Sequence, residues 1–224
     1  MTATIWNLRP GETVVAVDSS IWDAVACEPM GRAAKMWTLP HLNAVLAGGS
    51  WGGVLAPVVA EAMCQPVEDL DDLLDRLPEI INRHYRAFIN EGAGMAGIDL
   101  DERWSGAVFF VFTAGKGWLL GDANGFEPKP LPAGLWADPE IAGSCRVHEP
   151  FQGDDQLVRL MRRQMDDMAG RHIGGPVIRA KITHDGLALA TIGNLDDPVT
   201  QPEPTASGLS RQQRRALARK QRKA

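Results

Sequence analysis

The residue with the most direct chemical potential stands second in the chain. Met1 precedes the small residue Thr2, so removal of the initiator methionine exposes a threonine carrying a free α-amine. A hydroxyl is a weak nucleophile that needs a nearby base, and an α-amine with a pKa of about 7.7–8.0 is one on the same residue. Other catalytic signatures are missing. The run Gly48-Gly49-Ser50-Trp51-Gly52-Gly53 is rich in glycine but lacks the Gly-Lys-Ser/Thr ending of a phosphate loop, and no Gly-x-Ser-x-Gly elbow occurs. His41, His84, His148, His172 and His184 show no metal-ligand spacing and read as turn or surface residues. Cys27, Cys64 and Cys145 are too scattered for a disulfide framework or a thiolate zinc site, which points to a reducing, cytoplasmic setting. No cofactor and no metal are expected.

Composition narrows the class. The chain has 224 residues, 45% of them hydrophobic, enough to bury one sizeable core without staples. No apolar run reaches the roughly 18 residues of a membrane span, and the first residues lack a basic region followed by an apolar one. The net charge of -5 hides an asymmetry, because Arg211, Arg214, Arg215, Arg219, Lys220, Arg222 and Lys223 lie together with no acid among them. The expected organisation is a folded domain over 1–194, a Pro-rich linker over 195–210 and a basic, disordered tail over 211–224. An acidic body repels nucleic acid, and Arg211–Lys223 is the one segment that could bind it, blind to sequence for want of aromatic residues.

The elements that would position Thr2 follow from periodicity. Residues 2–9 and 13–18 read as strands around Arg9-Pro10-Gly11-Glu12, and 35–39 and 43–47 as a second pair. Ser50 reads as the N-cap of a helix running from Trp51 to Cys64. Val67, Leu70, Leu74, Leu77, Ile81, Tyr85 and Phe88 recur at helical spacing, with Pro78 expected to kink or break the helix. A hairpin follows at 107–120, then a stretch from Gly125 to Gly143 that reads mostly as loop. Asp154–Met168 reads as an amphipathic helix, and 178–183 and 187–192 as a closing strand pair. Strands in sequence with helices inserted in blocks make an α+β chain rather than a doubly wound one.

The order and spacing of several short motifs carry a resemblance. Thr2, then Asp18-Ser19 sixteen residues on, then Lys35, then Ala47-Gly48-Gly49, resembles the first third of proteasome β-type subunits. These are N-terminal-nucleophile hydrolases, and the bacterial proteasome-like peptidase that works with an unfoldase is the nearest kind. Ile173-Gly174-Gly175-Pro176-Val177 and Ile182-Thr183-His184-Asp185-Gly186 look like that family's Gly-Gly segment, strand and Asp-Gly turn. The tail and linker also look like those of phage or prophage proteins.

The resemblance implies a four-layer αββα sandwich, a homo-oligomer, a peptide substrate and an unfoldase of unknown identity. It implies Thr2 as nucleophile, and Lys35 as a buried cation that lowers the pKa of the neighbouring amine, held by Asp18. It implies an oxyanion hole from the N–H groups of Gly48 and Gly49. The chain departs from the pattern where peptidases carry an Asp, and a Ser three residues later; Gly170 and Ile173 stand there. Asp166 and Asp167 lie just upstream on the expected helix, and Ser20 replaces the usual Arg. The expected function is therefore an N-terminal-threonine peptidase; the alternative is a non-catalytic structural or assembly protein of the same fold, its basic tail binding an acidic partner or nucleic acid.

Overall fold

Thr4–Arg9 (β1) and Glu12–Val17 (β2), apolar enough to be buried on both faces, pair as an antiparallel hairpin. The computed structural model describes residues 2–23, 28–49, 52–92, 107–167 and 173–197. Beyond the first hairpin come Ser20–Asp23 (β3), Glu28–Arg32 (β4), Met36–Leu39 (β5), Ala44–Gly49 (β6), Gly52–Cys64 (α1) and Leu70–Ala87 (α2). Val108–Thr113 (β7), Lys116–Gly121 (β8), Lys129–Pro130 (β9), Gly134–Ile141 (β10) and Ser144–Arg146 (β11) follow. Asp154–Asp167 (α3), Pro176–Thr183 (β12) and Gly186–Asn194 (β13) complete the described chain.

The strands form a six-stranded sheet, β11-β10-β1-β2-β12-β13, a five-stranded sheet, β5-β6-β7-β8-β9, and the small β3-β4 pair. All of their pairings are antiparallel. With helices inserted in blocks, this is the α+β arrangement expected from the sequence.

Period-two alternation sorts the core into three apolar clusters. Trp6, Leu8, Val15 and Val17 of the six-stranded sheet pack against Val45, Ala47, Phe110 and Phe112 of the five-stranded sheet. The opposite face of the first sheet, with Ile5, Ala16 and Leu135, packs against Leu157, Leu160 and Met161 of α3. Leu46, Phe109 and Val111 of the second sheet pack against Val54 and Val58 of α1 and Leu73, Leu77 and Ile81 of α2. The hairpin turns of the two sheets also abut: a Cβ on Gly115, whose φ is +77, would sit 2.7 Å from Gly11 N. Only glycine fits there.

Four expectations require correction. Pro78 neither ends nor divides α2, because the apolar stripe Leu73, Leu74, Leu77, Ile80 and Ile81 is buried on both sides of it; that burial offsets the lost N–H. Asp69 caps this helix, its side chain accepting from Asp72 N at 2.9 Å. The segment from Gly125 to Gly143 contains β10, an eight-residue strand hydrogen-bonded to β1. The hairpin β3-β4 was not expected either. Finally, Leu195 does not open a linker: it is buried in the α3 cluster, and its N–H donates to Gly175 O at 2.9 Å. Ser50, Gly170, His172 and the tail at 211–224 lie outside the described residues.

Candidate active site

Asp18 stands one residue past the end of β2 and is fully buried. The chain turns around its carboxylate. Oδ1 accepts from Ala3 N at 2.9 Å, and Oδ2 accepts from Ser20 N and Gly174 N, each at 3.2 Å. Lys35, which immediately precedes β5 and is 8% exposed, donates from Nζ to both carboxylate oxygens at 2.9 and 3.0 Å. Burial pushes the Asp18 carboxyl above its ordinary value and the Lys35 ammonium below its own, and in each case the attraction of the partner opposes the shift.

Gly174 completes the clamp. Its carbonyl accepts from Ser19 N at 3.2 Å and Ser20 N at 3.1 Å while its N–H donates to Asp18. A Cβ on Gly175, at φ +73, would meet Ser19 Oγ at 2.7 Å. The Gly-Gly pair thus allows the last strands to approach the Asp18 turn.

Thr2 reaches the same place from the opposite direction. It is 7% exposed, and its hydroxyl donates to Gly48 O at 3.0 Å. The same glycine's N–H donates to Lys35 O at 3.0 Å. One residue, through the N–H on one side of its Cα and the carbonyl on the other, therefore links Thr2 to the strand that delivers Lys35. A Cβ on Gly49 would lie 3.0 Å from Thr2 Oγ1, 3.1 Å from its Cβ and 3.2 Å from its N, so any side chain there would press on Thr2.

This geometry corrects the expected oxyanion hole. The Gly48 N–H is committed to the Lys35 carbonyl, because pairing of β5 with β6 continues one residue past Met36 opposite Ala47. Alternation along the strand turns the Gly49 N–H to the other side, where Gly49 is in register with Val108 of β7. Gly48 enters the site through its carbonyl, and Gly49 through the absence of a side chain.

The remaining candidates lie apart from this cluster. Ile173 is 3% exposed and packs in the α3 cluster, where it supplies no polar group. Asp166 and Asp167 are exposed, and Asp167 accepts from Ala142 N at 2.8 Å. His84 pairs with Glu61 between α1 and α2. Among the described residues, no group of three His, Cys, Asp or Glu side chains could hold a metal ion. No described helix is long and apolar enough to cross a membrane. Two open depressions, of about 420 and 490 Å³, are lined by residues other than those around Thr2.

Sequence reasoning missed three features near the site: the clamp made by Gly174, the ion pair of Arg32 with Asp196, and the polar pair Thr4 and Asp138. The Gly174-Gly175 motif was a readable signal for the first. Neither of the other two carries a local sequence signal.

No family model matches the sequence, and no curated protein matches it. Solved structures do. Anbu (ancestral beta-subunit) from Yersinia bercovieri superposes with a TM-score of 0.57 at 9% identity, covering 85% of this chain and 87% of that chain. An Anbu mutant from Hyphomicrobium sp. strain MC1 gives a TM-score of 0.55 at 12% identity, covering 99% and 96%. These neighbours overturn the expected kinship with the unfoldase-dependent bacterial peptidase or with a phage protein. At such identities the likeness is one of fold, and this chain shares its proteasome-like fold with the Anbu ancestral beta-subunits.

Proposed function

We propose that the chain is an N-terminal-threonine hydrolase, a peptidase once Met1 is removed. The Thr2 hydroxyl attacks a substrate carbonyl while the α-amine takes its proton and passes it to the leaving amine. Water, activated by the same amine, then cleaves the ester and restores the hydroxyl. Lys35 supplies a fixed positive charge beside the reacting groups, and Asp18 holds it in place. Gly48 anchors the hydroxyl and Gly49 leaves room for it.

One observation carries this reading: a buried Asp18–Lys35 pair joined to Thr2 through the backbone N–H and carbonyl of Gly48. A buried ion pair contributes little to stability compared with an apolar pair of the same volume, so its place beside a nucleophile favours a chemical use. The finer architecture belongs to the same proposal. The three apolar clusters fit a four-layer αββα sandwich that takes in Leu195, followed by a Pro-rich linker and the basic tail, in a cytoplasmic homo-oligomer.

A second reading, a non-catalytic assembly protein of the same fold, is favoured by the Gly48 N–H spent on the sheet and by the apolar Ile173. Mass spectrometry of the purified chain and labelling with an active-site-directed electrophile separate the two. Loss of Met1 with a covalent adduct on Thr2, absent in Thr2→Val, supports the hydrolase. A folded chain with Thr2 exposed that neither labels nor cleaves fluorogenic peptides supports the assembly protein.

A further inference from the structure

β10 runs beside β1 with Thr4 opposite Asp138, Ile5 opposite Ala137 and Trp6 opposite Trp136. Ala3, Ile5, Leu135 and Ala137 point to the α3 cluster, while Trp6 and Trp136 point between the two sheets. Alternation therefore places Thr2, Thr4 and Asp138 on one face, toward the five-stranded sheet. The Thr4 hydroxyl is fully buried and lacks a hydrogen-bond partner among the described residues. Burial pushes the Asp138 carboxyl above its ordinary value, and no cation among the described residues opposes the shift.

Residues directly opposed across such a pair have Cβ atoms about 4.5–5.5 Å apart, and diagonal neighbours stand about 7–8 Å apart. Asp138 is opposite Thr4 and diagonal to Thr2. A buried hydroxyl without a partner, beside a desolvated carboxyl whose titratable neighbour among the described residues is the Cys145 thiol, is costly unless a third group completes it. A group that donates to both, next to Thr2, is the ammonium of its own backbone nitrogen.

We propose that Asp138, with the Thr4 hydroxyl beside it, is a positioning residue for the α-amine of Thr2. This rests on the reading of Thr2 as an exposed N-terminal residue. The carboxylate accepts from the amine, turns its lone pair toward the hydroxyl proton, and raises the basicity of the amine, while Lys35 lowers it. The two opposing charges set the amine's titration between them.

The test uses the full chain with a cleavable leader removed so that Thr2 is the first residue. Competitive acetylation of the α-amine across pH, read by mass spectrometry of the N-terminal peptide, gives its titration without requiring turnover. Asp138→Asn is expected to lower the amine's pKa by about one unit, the effect of losing one nearby opposite charge. Asp138→Glu should restore most of it. An amine that titrates identically in wild type and Asp138→Asn overturns the proposal. A measurement on the unsubstituted protein covers the case in which Asp138→Asn does not fold. The Asp138 carboxyl, followed by carbon NMR, should titrate lower with Thr2 exposed than with the leader attached, and an unchanged value overturns the proposal. If both titrations respond but no electrophile labels Thr2, the hydrolase reading fails and the placement of Asp138 stands.

Discussion

Replacing Lys35 with Met removes one partner of a buried ion pair and leaves the other in place. Asp18 is fully buried, and its remaining partners are the backbone N–H groups of Ala3, Ser20 and Gly174. Breaking a buried pair from one side costs about 3–5 kcal/mol, since the surviving charge must stay desolvated or take up a proton. In a domain of this size 1 kcal/mol moves the melting temperature by about 2–4 °C, so Lys35→Met should melt on the order of 10 °C lower. Adding Asp18→Leu should recover most of the loss, because an apolar pair of similar volume is about neutral relative to a buried salt bridge. Urea denaturation of the wild type, both single variants and the double variant at pH 7 completes the cycle. A Lys35→Met change below about 1 kcal/mol, the range of exposed pairs, would refute the reasoning.

The same pair predicts a pH dependence. Asp18 is raised above its ordinary 3.8, so its contribution to stability is full below that pH and lost as pH rises through the folded value. Lys35 is lowered below 10.5, so its contribution is full above that pH and lost as pH falls through its folded value. Between the two folded values the wild type should therefore lose ground against the Asp18→Leu/Lys35→Met double variant, a trend that denaturation at several pH values checks. Gly49→Ala places a methyl 3.0 Å from Thr2 Oγ1 and should slow electrophile labelling of Thr2 while circular dichroism shows the fold intact. Leu77→Ala, at a fully buried position between α2 and the five-stranded sheet, should cost about 2–5 kcal/mol in urea without moving the Thr2 site.

How far the molecule was legible depends on what each element needed. β1, β2, β5, β6 and the helices announce themselves, because period-two and period-3.6 patterns survive tertiary packing. β10 does not: Gly134, Pro139 and Gly143 punctuate it as a loop would, and only its place between β1 and β11 makes it a strand. Asp138 lay hidden for that reason, since a carboxylate in an apparent loop gives no hint of a neighbour on β1. The site divides along the same line. Thr2, Asp18 and Lys35 could be named from type and spacing, and the fold joins them through the Gly48 backbone and the Asp18–Lys35 pair. The direction in which Gly48 presents its N–H and its carbonyl could not be named, for it follows from the register of β5 on β6. A glycine in a sequence marks where the backbone comes close to something. Which backbone atom does the work is settled only when strands pair, and here pairing commits the N–H to Lys35 and the carbonyl to the threonine.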